Sequence, residues 1–267
     1  MQTLRYTSLG SGSEGNALLI EAAGDGESRS RLLLDCGFGL RDVTRRLAER
    51  GVAPESLDAI LVTHEHNDHV GGALRLARRH GIALYCSHGT WTSVVQSQGA
   101  AAAADLSVRF VCSHTAFSVG DLEIQPFPVP HDAREPTQFV FVHAGKRLGV
   151  LTDTGCATAC IVEHLNGCDA LVLECNHDPQ LLAHSDYPDR LKRRIAGDYG
   201  HLSNAAAADL LDRLDRSRLQ HLHAAHLSRQ NNRPELAAAA LAEVLRVSAA
   251  DIGIASQDEG FDWVTLA

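Results

Sequence analysis

The chain has 267 residues, of which 45% are hydrophobic and 21% are charged. This composition is typical of a folded globular protein and excludes a disordered or fibrous chain. The formal net charge of -9 argues against a protein that holds nucleic acid through one broad basic face, although it is compatible with a local basic patch or a bound metal. The sequence shows neither the pattern of a signal peptide nor a run of about 18 apolar residues, so we expect a cytoplasmic protein without membrane association.

Histidine, not cysteine, is the unusual residue of this composition. The seven cysteines are scattered without a C-x2-C pair, so they predict neither a zinc knuckle nor a disulfide framework, and we expect buried or bystander thiols. The chain has 15 histidines. Because histidine is the commonest metal ligand and a frequent acid or base, the positions of these residues carry the information about function.

Short apolar runs alternate with helical patterns along the whole chain. Buried strands are predicted at 18–20, 32–34, 59–62, 139–142, 148–151 and 170–173. Helices are predicted at about 40–50, 70–80, 188–196, 203–214 and 234–246, and the alanine run 100–104 is a short helix or a loop. Turns at 119–121 and 144–146 indicate hairpins between strands near 107–125 and 137–151. We therefore expect an α/β fold of sheets covered by helices, in a single domain over residues 1–267.

The most informative segment follows the apolar run 59–62. His64, His66, Asp68 and His69 stand within six residues in the spacing H-x-H-x-D-H. A loop that leaves a strand end can direct such side chains to two sides, which suits two neighbouring metal ions. The alternative is a polar loop with chance histidines, but clustered histidine and aspartate have few structural uses.

This segment resembles the first metal motif of the metallo-β-lactamase superfamily, whose fold is an αββα sandwich of two mixed sheets flanked by helices. The resemblance implies that single ligands follow later strands. His131 follows the apolar stretch 127–130, Asp153 follows 148–151, and His226 also follows an apolar run. Taken alone, each of these residues is as readily explained as a structural histidine or a turn aspartate as it is as a metal ligand. Their order along the chain, each behind an apolar run, favours the metal ligands.

The resemblance allots these ligands to two divalent ions. One ion would be held by His64, His66 and His131, and the other by Asp68, His69 and His226, with Asp153 as the bridge. The imidazoles favour zinc, whereas the carboxylates and open positions also accept manganese.

The third motif narrows the choice within the superfamily. Residues 130–133 read Pro-His-Asp-Ala and lack the Gly and Thr of the Pro-Gly-His-Thr motif of thioester and lactam hydrolases, which favours the phosphodiesterase branch. With segments 8–16, 174–178, 200–204 and 226–232, the chain resembles the YycJ/WalJ-type exonucleases from about residue 4 to 265. The resemblance implies 5′-to-3′ degradation of double-stranded DNA, with RNA left open. The short stretch between Asp153 and His226 leaves no room for the second nuclease domain of longer relatives.

Two residues are the candidates for catalysis. Asp68 is expected to orient or deprotonate the attacking water, or alternatively to serve only as a ligand. His201 is expected to stabilise the transition-state charge or to protonate the leaving oxygen, or alternatively only to precede a capped helix. Ser203 or Asn204 would cap that helix, whose N-terminus could then face a phosphate.

Expected substrate contacts are polar side chains in or beside these motifs, namely Asn176, His177, Ser203, Asn204, Arg229 and Asn232. Asn176 and His177 alternatively support the ligands from behind. The cationic segment 190–194 also stands close enough in sequence to His201 to meet a nucleic-acid backbone near the metals.

Three functions remain open on these residues. The first is a dinuclear metal-dependent exonuclease acting on DNA. The second is hydrolysis of a small phosphodiester or cyclic nucleotide, or RNA processing, on the same metals. The third is a non-enzymatic regulatory protein or scaffold that binds metal, which the presence of every expected ligand disfavours.

Overall fold

Two seven-stranded mixed sheets face each other in the computed structural model, which describes residues 2–24, 29–99, 101 and 104–266. The first sheet contains β1 Thr3–Gly10, β2 Ala17–Ala23, β3 Arg29–Leu34, β4 Ala59–Leu61, β5 Ala83–Ser87, β6 Val108–Val111 and β14 Phe261–Leu266. The second contains β7 Phe117–Val119, β8 Leu122–Pro128, β9 Thr137–His143, β10 Lys146–Leu151, β11 Ala170–Glu174, β12 His221–Ala225 and β13 Gly253–Ile254. The alanine run 100–104 lies largely outside the described residues.

Helices cover the outer face of each sheet. The chain forms α1 Leu40–Glu49, α2 Asn67–Val70, α3 Ala73–His80, α4 His88–Gln98, α5 Ala159–Leu165, α6 Pro179–His184, α7 Asp189–Ile195, α8 Asn204–Arg213 and α9 Pro234–Leu245. Short 3-10 helices lie at Pro54–Ser56 and Ala249–Asp251. In the part of the chain that is described, no helix has the length and apolarity needed to cross a membrane.

The two sheets have the same arrangement of parallel and antiparallel strands. In the first sheet the order is β14-β1-β2-β3-β4-β5-β6, and in the second it is β13-β12-β11-β10-β9-β8-β7. Strands β3 to β6 are parallel, as are β10 to β13, while the remaining neighbours are antiparallel. Each sheet therefore has a parallel half whose strands all end at one edge.

Alternation along the strands produces three apolar layers. In β2, Leu18 and Ile20 point between the two sheets, whereas Leu19 points toward the helices. Likewise Val150 of β10 lies between the sheets, and its neighbour Leu151 packs against the helices of the second sheet. This is the αββα sandwich that the sequence predicts.

The six predicted strands and the hairpin turns are confirmed, and one predicted helix starts later than expected. The pattern at 70–80 forms a helix only from Ala73, because Asn67–Val70 is a separate short helix followed by Gly71 and Gly72. A Cβ at Gly72 would collide with the carbonyl of Phe38, so glycine permits this close backbone approach. The seven cysteines are free, as expected.

A buried ion-pair ladder ties the first three strands together. Glu21 of β2 lies opposite Arg5 of β1 and Arg31 of β3. Its carboxylate accepts hydrogen bonds from Arg5 Nε at 2.7 Å and from Arg31 Nε at 2.6 Å. Burial alone would raise the pKa of Glu21, but the two guanidinium groups lower it below its usual value.

We predict that Glu21→Gln lowers the free energy of unfolding at pH 7 by about 1–3 kcal/mol, because the guanidinium groups of Arg5, Arg29 and Arg31 lose a charged acceptor. A lowered folded-state pKa gives stability that is present above the unfolded pKa and is lost as pH falls through the folded pKa. The difference from the wild type should therefore shrink below about pH 4. Urea unfolding at both pH values measures it, with Glu123→Gln on the exposed side of β8 as the control. A loss that is equally large in acid would contradict this explanation.

Candidate metal centre

Polar side chains from both sheets meet at one edge of the sandwich. In the first sheet, Asp35 follows β3 and the loop 63–69 follows β4. In the second sheet, Asp153 follows β10, Glu174 ends β11 and His226 follows β12. Because parallel strands end at the same edge of a sheet, each sheet delivers its polar residues to one place.

Three of these strand-end residues have a left-handed backbone. The φ angles are 60° at Asp35, 52° at Asp153 and 53° at His226. This conformation is uncommon outside glycine and costs of order 1–3 kcal/mol per residue, so it is typical of functional sites. The sharp turn that it produces directs each of these buried side chains into the shared cluster.

Three imidazoles form the first group of potential ligand atoms. His66 Nδ1 lies 3.0 Å from His64 Nε2 and 3.3 Å from His131 Nε2. The other ring nitrogens are engaged, with His64 Nδ1 3.0 Å from Thr63 Oγ1 and His131 Nδ1 3.0 Å from Gly200 O. Ligands of a tetrahedral zinc ion with Zn–N bonds of about 2.0–2.1 Å are separated by about 3.4 Å, so these nitrogens have the spacing of one zinc site.

A second group lies beside the first. Asp68 Oδ2 is 3.4 Å from His69 Nε2 and 3.4 Å from His226 Nε2. Asp153 stands between the groups, since its Oδ2 is 2.9 Å from His69 Nε2 and its Oδ1 is 4.0 Å from His131 Nε2. The structure thus brings together all seven residues that the sequence singled out as ligands.

The side chain of Asp153 tests whether a metal fits this cluster. Its Oδ2 is buried and has no hydrogen-bond partner among the described residues, although His69 Nε2 is 2.9 Å away. A short contact without hydrogen-bond geometry is the arrangement expected of two ligands of the same ion. The mixture of imidazole nitrogen and carboxylate oxygen suits zinc or manganese, so the residues fit divalent metal binding.

Asp35 is a functional residue that the sequence reasoning missed. Its Oδ2 lies 2.8 Å from His69 Nδ1, and its Oδ1 accepts a hydrogen bond from Thr63 N at 2.8 Å. A carboxylate behind a ligating histidine fixes the ring orientation and raises its basicity. The available signal was an aspartate directly after the apolar run 32–34, the same pattern that identified Asp153.

Glu174 is the second residue that was missed, and it holds His201. The fully buried carboxylate lies 2.8 Å from His201 Nδ1 and accepts hydrogen bonds from the backbone of Thr154 and Leu202. Burial alone would lower the pKa of His201, but Glu174 and then Asp153 raise it above its usual value. His201 Nε2 makes no hydrogen bond with any described residue, so this nitrogen is available as a proton donor.

The pKa directions reveal an excess of negative potential on one side of the cluster. Burial lowers the pKa of His64 and of His131. Burial would also lower that of His226, but Asp153, Asp68 and Glu174 raise it to about 10. Carboxylates that favour a protonated imidazole this strongly also favour a cation in its place, so metal ions compete with protons here.

The expected substrate contacts near β11 lie behind the ligands. Asn176 is buried, and its Nδ2 donates to the backbone oxygen of His226 at 3.1 Å. His177 is also buried, and burial lowers its pKa to about 4. Ser203 caps α8, since its Oγ accepts from Ala206 N at 3.1 Å, as predicted.

The remaining expected contacts already have partners inside the protein. Asn204 and Asn232 exchange two amide hydrogen bonds of 2.9 Å, and Asn232 also donates to Cys175 O. Arg229 pairs with Asp258 at 2.5 Å and with Glu14 at 3.5 Å. These side chains join the loops around the site, and their polar groups face one another.

Comparison with known proteins agrees with this geometry. Residues 30–224 match the beta-lactamase superfamily domain. The exodeoxyribonuclease WalJ of Streptococcus pneumoniae is 35% identical over 97% of this chain and 93% of its own length, and the exodeoxyribonuclease YycJ of Bacillus anthracis is 32% identical over 94% and 92%. The metallo-beta-lactamase fold protein YhfI of Bacillus subtilis covers 100% of both chains with a TM-score of 0.74 at 16% identity, which shows the shared fold. The chain therefore belongs to the WalJ/YycJ exodeoxyribonuclease family of the metallo-β-lactamase superfamily and is a metal-dependent hydrolase.

Proposed function

We propose that this protein is a dinuclear metal-dependent exonuclease that degrades double-stranded DNA from the 5′ end. The supporting observation is the pair of adjoining ligand groups at the sheet edge, with Asp153 between them. The names of the near full-length relatives from Streptococcus pneumoniae and Bacillus anthracis supply the substrate class. One ion, zinc or manganese, would be held by His64, His66 and His131, and the second by Asp68, His69 and His226, with Asp153 shared.

Asp68 is proposed to orient or deprotonate the attacking water. Bound divalent ions offset the charge of the phosphate and lower the pKa of water from about 15.7 toward 7. Burial would raise the pKa of Asp68, but His69 and His226 lower it, so the group stays a carboxylate at neutral pH. Its side chain is partly exposed, unlike that of Asp153, and can therefore accept a hydrogen bond from water at the mouth of the site.

His201 is proposed to donate the proton that the leaving oxygen needs. Glu174 and Asp153 raise the pKa of the ring and lie against Nδ1, while Nε2 makes no hydrogen bond with any described residue. The proton donor, His201, and the carboxylate that orients water, Asp68, are then two different side chains. Asn176, Asn204 and Asn232 are proposed to hold the surrounding strand ends and α8 in place, and His177, Ser203 and Arg229 remain proposed substrate contacts.

The proposed enzyme works as one domain in the cytoplasm. Between Asp153 and His226 the chain forms α5 to α8 and the strands β11 and β12. These elements form part of the second sheet and the helices that cover it. No stretch between Asp153 and His226 is left to form an inserted domain, which supports the proposal of a single domain.

Asp153→Asn should reduce DNA hydrolysis by at least about 100-fold, because the variant keeps the side-chain shape and loses the charge shared by both ligand groups. Metal content should fall in the same preparation, while circular dichroism stays that of the wild type. Asp105→Asn is the matched control, because Asp105 also has a left-handed backbone, with φ of 61°, but is exposed and outside the cluster. Normal turnover by the Asp153 variant with verified metal content would refute the proposed centre.

Glu174→Gln tests the proposed acid, and because Glu174 Oε1 also lies 3.4 Å from Nδ1 of the proposed ligand His226, metal content is measured in the same preparation. The substitution removes the carboxylate that raises the pKa of His201, so a reaction that needs protonated His201 should lose its activity at a lower pH as pH rises. We expect the basic limb of the kcat profile to move to lower pH, with metal content retained. His80→Gln, which breaks the His80–Glu55 pair of 2.9 Å elsewhere on the surface, should leave the profile unchanged. An unshifted basic limb in Glu174→Gln would exclude His201 as the acid.

The substrate is tested with metal-loaded protein and end-labelled single- and double-stranded DNA and RNA, with a cyclic nucleotide and a small model phosphodiester in parallel. We expect stepwise shortening of duplex DNA from the 5′ end. Efficient cleavage of the small diesters with the polymers intact would instead identify a small-molecule phosphodiesterase. Inactivity of metal-replete protein on every phosphodiester would indicate a regulatory or scaffold protein.

A further inference from the structure

Tyr199 presents an exposed aromatic ring beside the candidate metal centre. The residue is 65% exposed, although it is a large side chain. Its backbone oxygen accepts a hydrogen bond of 3.0 Å from Asp132 N, and the next carbonyl, that of Gly200, lies 3.0 Å from His131 Nδ1. A Cβ at Gly155 would collide with the backbone just before and at Tyr199, so the loop after Asp153 packs directly on this segment. The backbone of Tyr199 is therefore held against the segments that carry His131 and Asp153.

Helix α7 carries cationic side chains to the same place. Arg194 Nε donates to Asp132 Oδ2 at 2.5 Å, and Asp132 Oδ1 lies 3.4 Å from His131 Nε2. Arg193 and Arg194 follow Arg190 by three and by four residues. Residues at these spacings lie on one side of a helix, so all three arginines share one side of α7. Both Arg190 and Arg193 are exposed, and among the described residues neither has a carboxylate within ion-pair distance. The side of α7 anchored beside the ligands thus carries two guanidinium groups that form no ion pair with any described residue.

We propose that Tyr199 and α7 grip one nucleic-acid strand next to the metal centre, with a base stacked on the Tyr199 ring and phosphates against Arg190 and Arg193. This inference rests on the proposed nuclease function and names the residues that hold its substrate. Aromatic rings and cations side by side are the combination that binds unpaired nucleotides, because every base has a stacking face and every linkage a negative charge. An enzyme that works at a strand end must hold a nucleotide that has lost its neighbour, and stacking on Tyr199 replaces part of that lost contact.

Other surfaces of the chain are less suited to this role. Arg229 is paired with Asp258, so as a phosphate contact it is weaker than the α7 arginines that have no ion pair. The open groove between α8 and α9 has a volume of about 540 Å³, but four carboxylates line it and would repel phosphates. These residues are Asp178, Asp209, Asp212 and Glu243.

The stacking contact is tested with Tyr199→Ala and Tyr199→Phe on duplex DNA with a normal or an abasic terminal nucleotide. Tyr199→Ala should raise KM by about 5- to 100-fold with kcat changed less than about twofold, and Tyr199→Phe should restore KM. Removing the terminal base should raise KM of the wild type but add little to Tyr199→Ala, because the two changes remove one contact. Fully additive effects, or an unchanged KM in Tyr199→Ala, would overturn the inference.

The phosphate contacts are tested by the salt dependence of equilibrium DNA binding. Arg190→Gln and Arg193→Gln should each reduce the slope of log affinity against log salt by about 0.7–0.9. Arg79→Gln is the control, because this exposed arginine lies in the last turn of α3, which leads into the start of β5 and so lies at the edge opposite the metal loop. Slopes identical to that of the wild type in both α7 variants would overturn the phosphate contacts.

Equilibrium binding also separates this inference from the proposed function. If the wild type binds DNA without degrading it and Tyr199→Ala weakens binding, the strand grip holds while the nuclease is refuted. If the wild type degrades DNA and Tyr199→Ala binds and cleaves as well as the wild type, the nuclease holds while the grip is refuted. A wild type that neither binds nor cleaves nucleic acid would refute both.

Discussion

The burial of carboxylates at one edge of two sheets is the constraint on which this structure depends. Asp35, Asp153 and Glu174 are 3%, 2% and 0% exposed, and an unpaired charge so deep in a protein is costly. Each carboxylate faces an imidazole: Asp35 faces His69, and Glu174 faces His201. The sandwich can maintain this concentration of charge because its parallel halves end together, and the surplus negative potential is what makes the edge a cation site.

The stability needed to hold this edge comes from elsewhere in the fold. The left-handed backbone at three strand ends opposes folding. Three apolar layers, one between the sheets and one under each set of helices, supply the opposing hydrophobic contribution. Core and site residues follow one another closely along the chain. Val150 packs between the sheets, and Asp153, three residues later, contributes its charge to the ligand cluster.

Sequence reasoning reached the parts of this molecule that are encoded locally. Apolar runs predicted the inner strands, and the H-x-H-x-D-H spacing predicted the loop because its ligands are neighbours in the chain. Asp35 and Glu174 were missed because a single acid after an apolar run looks like any turn residue until another strand places a histidine beside it. Asn204 and Asn232 were expected to contact substrate, and only the folded chain shows that their amides also bond to each other. The helix predicted from residue 70 begins at Ala73, because Gly72 N donates its hydrogen bond to the carbonyl of the distant Cys36.

Net charge is a weak guide to what such a protein can bind. At physiological ionic strength exposed charges are screened beyond about 8 Å, so the overall value of -9 is not what a phosphate at the metal edge experiences. What counts there is the local arrangement, in which bound metal would offset the carboxylates of the cluster, and Arg190 and Arg193 form no ion pair with any described residue. The acidic residues of the α8–α9 groove have the opposite effect, because they repel a polyanion from that surface. An acidic protein can therefore direct a nucleic-acid strand to one edge by the contrast between neighbouring surfaces, without a broad basic face.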